Sequence, residues 1–272
     1  MDERETLELT TVFACATGLS RLEYTNGFEM TKTQNLTEQS AGFIPRRMQA
    51  CAVLTDTRRE YLAEIFRLEQ LQSAPVIISA LAERLQVSPP AVVKMVQRLE
   101  REGFLEREPY RGVNLTAEGR QVALGAVRRH RLIETFLVKV MGFSWDEVHD
   151  MVHSLEGAIN TTFEDRADEL SGFPTRCPHG DPIPTRDGHM PTMNDKSLLD
   201  FPVGTRGDLS RIRNHTPERL RYLGELGLRP GVALEIKGRA PLRGPVRLKA
   251  SGQEHVVGAD LAADLFIENI VV

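Results

Sequence analysis

Apolar positions take up a helical period from about residue 57. Leu62, Ile65 and Phe66 follow Thr57 and Glu60, which fit a capping box, and Pro75 breaks the pattern. Ser79 is expected to cap a short helix over 80–85. Ser88, with Pro89 at the first helical position, opens another helix, whose apolar stripe is Val92, Val96 and Leu99 and whose end is Gly103. Residues 104–105 and 113–115 read as two short strands joined across 106–112. Thr116 caps a long helix to about Met141. Ser144 and Glu147 form a further capping box for a helix to about Leu170. An irregular Pro/Gly-rich stretch spans 172–191. Beyond Val203 the period falls to two, at 232–236 and 246–248, with 267–272 as a closing strand. That predicts a small, mainly β module, a barrel. The organisation expected is an extension over 1–54, a first unit over 55–122, a helical unit over 123–193, a linker over 194–202 and the β module over 203–272. The extension shows no sustained period. It reads as disordered or as an over-long translation start, with Met48 a candidate true start.

Composition narrows the classes. The chain has 272 residues, 41% hydrophobic and 26% charged, with no apolar run near the ~18 residues a membrane span needs. The expectation is therefore no membrane partner. Cys15, Cys51 and Cys177 are odd in number and far apart, which excludes a disulfide scaffold and fits a reducing, cytoplasmic setting. A net charge of −4 does not announce a nucleic-acid binder. Charge is uneven, however. Residues 132–200 hold 13 acidic against 5 basic residues, and four of the seven histidines. Carboxylates with imidazoles suit a divalent cation, and a solvated acidic face is the alternative.

The order helix, short helix, turn, helix, hairpin is that of a winged helix-turn-helix, whose second helix of the pair enters the major groove of double-stranded DNA. With the 92/96/99 stripe turned inward, the outer face shows Ser88, Pro90, Ala91, Lys94 and Arg98. Lys94 can reach guanine acceptors, and Ser88 with the helix N-terminus can bind phosphate. Arg107, Tyr110 and Arg111 on the hairpin can contact backbone. Six basic against four acidic residues between 84 and 113 is a small surplus, so a protein-interaction role stays open.

His149, His153 and Glu156 fall at i, i+4 and i+7, on one helix face; His130 and Glu134 are i, i+4 on the preceding helix. Antiparallel packing would bring the two sets together around Mn, Fe, Co or Zn. The lack of a cysteine near these residues favours Mn(II) or Fe(II). A plain polar helix face remains the alternative. Cys177-Pro-His179 reads as a turn. Two other functions compete with a metal-responsive regulator: a metal-dependent hydrolase built on His149 and His153, for which no general-base motif is evident, and a winged-helix regulator sensing a small organic ligand.

Several segments resemble the diphtheria toxin repressor family of metal-dependent transcriptional regulators, manganese transport regulators included. They are residues 88–99, 110–119, 130–134 and 148–150, together with Cys177-Pro-His-Gly-Asp-Pro-Ile-Pro184. The resemblance runs from Thr57 to Val272. It implies a winged helix-turn-helix, a helical metal-binding and dimerisation domain, and a C-terminal SH3-like module of the FeoA type. It implies a homodimer that represses metal-uptake genes when Mn(II) or Fe(II) is plentiful, with no enzymatic role. The dimer contact would use an apolar side that includes Val152, Leu155 and Ile159. His130, Glu134 and His149 match the family's ancillary metal site. Glu60, His153 and Glu156 match its primary site, with His153 in place of a Cys or Glu, and Glu60 has the capping box as its alternative role. Gly157 stands where a His is usual. Arg211 and Asn214 fall near two positions from which some members draw further ligands, with His215 and Asp208 as possible substitutes.

Overall fold

The computed structural model describes residues 54–71 and 75–271; the extension over 1–54 lies outside them, apart from Leu54. Helix α1 (Asp56–Leu71) starts two residues earlier than the capping box predicts. The Thr55 carbonyl accepts from the Arg58 and Arg59 amides at 3.0 and 3.2 Å, so Thr57 lies inside the first turn and Glu60 has no capping partner there. α1 turns Leu62, Ile65 and Phe66 into the core. α2 (Ile78–Leu85) is entered through Ile77 without a side-chain cap, so Ser79 sits within the helix rather than before it. α3 (Pro89–Arg101) begins as expected after Ser88, with Pro89 where a missing N–H costs nothing, and buries Val92, Val96 and Leu99.

Strands β1 (Leu105–Glu108) and β2 (Gly112–Leu115) pair antiparallel, Leu105 opposite Leu115. A Cβ at Gly112 would lie 2.5 Å from the Val76 carbonyl oxygen, so only glycine lets the hairpin close on the Val76–Val113 bridge.

The 23-residue α4 (Ala117–Lys139) joins two cores. Thr116 caps it, accepting from the Gly119 amide at 3.0 Å. Val122, Ala123, Leu124 and Val127 belong to the core of α1–α3, whereas Ile133 and Leu137 pack with α5 (Val148–Leu155) and α6 (Thr161–Leu170). The single helix expected to run to Leu170 is broken. A 3-10 turn, Glu156–Ala158, follows α5, and Asn160 caps α6 by accepting from the Phe163 amide at 2.9 Å. Glycine at 157 and a strong capping residue at 160 favour that break over a continuous helix. The Ser144/Glu147 box does not form: the Ser144 hydroxyl donates to Asp146 instead, and Glu147 makes no side-chain cap bond.

The C-terminal sheet is antiparallel, in the order β3-β8-β4-β5-β6-β7. Its strands are β3 (Lys196–Ser197), β4 (Arg206–Ile212), β5 (Ala233–Arg239), β6 (Val246–Ala250), β7 (Gln253–Val257) and β8 (Leu265–Val271), with α7 (Pro217–Glu225) and α8 (Ala259–Ala263) between them. β3 and β7 stay as edges, so the SH3-like sheet is open rather than a closed barrel. The residues read as a linker, 194–202, supply β3 and the fully buried Leu198. Trp145, from the loop between α4 and α5, is buried in the sheet's core with Leu220, Leu223 and Leu228. No described helix is long and apolar enough to cross a membrane.

Candidate metal centre

The α4–α5 packing brings the two histidine sets together. His130 and Glu134 of α4 are buried, at 3% and 1% exposure, and meet His149 of α5. His130 Nε2, Glu134 Oε1 and His149 Nδ1 lie within 3.0–3.1 Å of one another. His130 Nδ1–H donates to Glu156 Oε1 at 2.6 Å, which fixes the ring and aims Nε2 at this cluster. Two acceptors thus meet a third ligand atom, His149 Nδ1, that has at most one proton to share between them, an arrangement that a cation relieves.

The electrostatics agree. Burial pulls the His130 pKa down, but Glu134 and Glu156 outweigh it and hold it above the ordinary imidazole value. Burial pushes Glu134 up, yet His130 and the neighbouring His149 and His179 rings hold its carboxyl well below the usual range. These donors fit a divalent cation: imidazole nitrogens and an ionised carboxylate, two of them from a rigid helix.

Glu60, His153 and Glu156 line one cavity with Asp56 and Arg67, of about 30 Å³, enough for an ion or a water. Burial and the charges of Glu156 and Glu64 raise the Glu60 pKa, and Arg67 in the same cavity offsets them only in part. Burial and the nearby His130 and His149 lower that of His153. The His153 ring is 5.0 Å from His130 and 4.9 Å from His149, so it stands between the two expected sites. The sites are contiguous through Glu156. A Cβ at Gly157 would lie 3.0 Å from Asp56 Oδ2: the space a side chain at 157 would use borders a carboxylate from α1.

From the sheet side, His215 comes closest. Its ring stacks on His179 at 4.3 Å and lies 6.0 Å from His149; burial and His179 push its pKa down to about 3, so it is neutral. Arg211 donates to Asp195 at 2.8 Å and Asn214 accepts from the Thr216 amide, though both border the same cavity as His130 and His149. Asp208 accepts from Asn269 and is not at this cavity.

Sequence reasoning missed Cys177 and His179. Their backbone is the expected turn, the Gly180 amide donating to the Cys177 carbonyl at 2.9 Å. Their side chains, however, point at Glu134, and the three form a buried group with ligand atoms within 4.8 Å of one another. A cysteine therefore does stand beside the histidine cluster. The CxH spacing was the available signal.

On α3 and the hairpin, Ser88, Pro90, Ala91, Lys94, Arg98, Arg107, Tyr110 and Arg111 are all exposed. Ser88 makes no cap bond, which leaves its hydroxyl for other partners. Arg98 and Arg111 donate to Glu102 (3.1 Å) and Glu108 (2.7 Å). Tyr110 is fully exposed at the hairpin tip, with φ of 64°.

Family models match three consecutive stretches: the iron-dependent repressor N-terminal DNA-binding domain over 53–113, the iron-dependent repressor metal-binding and dimerisation domain over 116–185, and the FeoA domain over 196–269. The diphtheria toxin repressor of Corynebacterium glutamicum is 37% identical over 227 residues, 80% of this chain and 98% of that one. The iron-dependent repressor IdeR of Mycobacterium tuberculosis is 39% identical over 159 residues, 56% of this chain and 69% of that one. A solved manganese-dependent transcriptional repressor in complex with manganese superposes with a TM-score of 0.73 at 34% identity, covering 77% of this chain and 98% of that chain.

Proposed function

We propose a function from one premise: the chain belongs to the diphtheria toxin repressor family of iron- and manganese-dependent transcriptional repressors. It is a metal-sensing, DNA-binding repressor that responds to Mn(II) or Fe(II) and controls metal-uptake or homeostasis genes. It works in the cytoplasm as a homodimer on a double-stranded operator. The observation that carries this reading is the convergence of His130 Nε2, Glu134 Oε1 and His149 Nδ1 within 3.0–3.1 Å, where His149 Nδ1 has at most one proton for two acceptors. His130, Glu134 and His149 hold the ancillary cation. Glu60, His153 and Glu156 hold the primary one. A bound cation supplies positive charge that offsets these carboxylates. Glu60 rides on α1, while His153 and Glu156 end α5, so a shared ligand fixes the DNA-reading unit (55–122) against the helical unit (123–193).

Homodimerisation through the helical unit is supported by Leu155, Phe163, Leu170 and Phe173, large apolar side chains exposed there. Val152, expected on that face, is instead buried against α4 and α6. The organic-ligand alternative is not favoured, since the relatives are iron- and manganese-dependent repressors. The hydrolase alternative is not favoured in a family of regulators.

The reading is tested by operator affinity in chelator and in saturating Mn(II) or Fe(II), at one fixed salt concentration. Equal affinity in both would overturn it. DNA contact by α3 has its own check. Lys94→Ala is expected to weaken specific binding by ~1–3 kcal/mol if Lys94 reads a guanine, and to lower the salt slope by about 1 without loss of sequence preference if it only meets phosphate. An unchanged affinity and slope would remove Lys94 from the interface.

A further inference from the structure

Arg67 stands between the two expected cation sites. Among the described residues it is the one common to both linings: the cavity of Glu60, His153 and Glu156, and the cavity of His130, Glu134 and His149. It projects from α1 two turns after Glu60, on the same side of the helix. Its side chain is only 17% exposed, and its guanidinium donates to Glu64, which is itself buried. The second Glu64 oxygen accepts from Arg84 Nε, in the last turn of α2, at 3.0 Å. One carboxylate thus answers two guanidinium groups, so part of the Arg67 charge is left for the cavities. Two other arginines line the Glu60 cavity, and each has a carboxylate of its own. Arg59 donates to Asp56 at 2.8 Å and Arg129 to Glu164 at 3.2 Å, and neither borders the second cavity.

Three carboxylates of the sites feel that charge. Arg67 lowers the pKa of Glu60 and of Glu156, against the burial that raises both, and Glu134 and Glu156 stabilise the guanidinium in return. Arginine suits this position because it stays charged even when buried. A fixed positive charge beside a cation site acts in two directions. Without a cation it offsets carboxylates that would otherwise repel one another. With a cation it repels the newcomer. We propose that Arg67 is a resident counter-ion: it stabilises the metal-free protein, opposes cation binding at both sites, and so sets the metal concentration at which the protein responds. The proposal rests on the reading of the two clusters as cation sites.

Glu64 gives the guanidinium somewhere to go. While the sites are empty, Arg67 is shared between Glu64 and the site carboxylates. A bound cation takes over those carboxylates and leaves Arg67 to Glu64. Glu64 also holds Arg84 of α2, inside the DNA-reading unit, so occupancy changes the charge balance at a contact between α1 and α2 as well as at Glu60. The two partners should therefore act with opposite signs when neutralised. Losing the Arg67 charge favours the cation. Losing the Glu64 charge returns Arg67 to the sites and disfavours it. A purely structural role for either residue predicts only loss, because a damaged site binds less well.

The test titrates the full chain, first stripped by chelator, with Mn(II) in a calorimeter at one salt concentration and about pH 8, which limits proton competition at the imidazoles. Arg67→Gln is expected to bind Mn(II) ~10-fold more tightly or better, the scale on which one nearby charge shifts the binding of a proton. Arg67→Lys keeps the charge and should keep roughly the parent's affinity. Chelated Arg67→Gln should melt below the chelated parent, and Mn(II) should raise its melting temperature by more, since tighter binding stabilises more. Glu64→Gln should bind Mn(II) more weakly than the parent, and it carries the test alone if Arg67→Gln does not fold. Equal or weaker Mn(II) affinity in folded Arg67→Gln overturns the proposal. So does an equal gain in Arg67→Lys, or unchanged or tighter binding in Glu64→Gln. Operator binding on the same samples keeps the two readings apart. The expected order of affinities without any operator response defeats the repressor reading and leaves the counter-ion standing, whereas metal-stimulated operator binding with no gain in Arg67→Gln defeats the counter-ion alone.

Discussion

A chain carrying His153→Ala and Glu156→Ala binds its operator with equal affinity in chelator and in saturating Mn(II). The unsubstituted chain gains roughly 5–150-fold from the metal, the usual range for coupling between two sites. The reason is positional. Glu156 is the point where the two expected sites meet: its carboxylate receives the His130 N–H at 2.6 Å, and its charge raises the Glu60 pKa across the cavity. His153 stands within 5.0 Å of both neighbouring imidazoles, measured ring to ring. Removing both takes the α5 half of the clamp away and leaves Glu60 and Asp56, both on α1, without the ligands that would tie them to the helical unit. The helical core is not touched, because Val148 and Val152 carry the packing of α5. Far-ultraviolet circular dichroism and the melting transition should therefore stay close to the parent's. Reciprocity adds a second reading: operator DNA raises the metal affinity of the parent by the same factor and leaves that of the variant unchanged. Fluorescence anisotropy at fixed salt measures both. Full metal stimulation in the folded variant would remove His153 and Glu156 from the sensing site.

The α3 stripe at 92, 96 and 99, the α3 start at Ser88-Pro89 and the cap at Thr116 are legible because each is local: a period, a helix start or a cap needs only a few neighbouring residues. The same holds for the i, i+4 pairs on α4 and α5. What failed was also local in form but decided elsewhere. Thr57 and Glu60 make a good capping box on paper, yet the Thr55 carbonyl starts the helix, and Glu60 instead lines a cavity with residues about a hundred positions away. The Ser144/Glu147 box predicts one helix to Leu170, but Gly157 and Asn160 break it. Strand β4 was not read, because its charged residues Arg206, Asp208 and Arg211 mask an inward set of Leu209 and Ile212. Cys177 and His179 were invisible as ligands for a different reason. A CxH turn carries no period, and its meaning comes from Glu134, some forty residues earlier. The family resemblance supplied the assignment of Glu60, which no pattern in α1 contains, and the dimer, which a single chain cannot display.

Glu134→Gln is expected to produce the largest loss of metal affinity of any single substitution here, because one carboxylate meets three imidazoles. His130 Nε2 and His149 Nδ1 meet its Oε1, and His179 Nδ1 faces its Oε2. The amide keeps the shape and loses the charge. Ancillary-site affinity should fall ~100-fold or more, beyond the 10–100-fold typical of losing only an outer hydrogen-bond partner of a ligand. The sign of the pH effect follows from His130. Its pKa stands above the ordinary value only because Glu134 and Glu156 outweigh burial. With Glu134 neutralised, burial is left opposed by Glu156 alone, and the His130 pKa drops. A cation needs the unprotonated Nε2, so proton and metal compete for it. In the parent, metal affinity should therefore keep rising with pH through the ordinary imidazole range and above it. In Glu134→Gln the rise should level off at lower pH, on a much weaker curve. Isothermal titration across pH gives the affinities and the number of protons released, and NMR of the His130 ring gives its pKa directly. A variant whose His130 pKa and metal affinity match the parent's would show that Glu134 neither charges the cluster nor binds the cation.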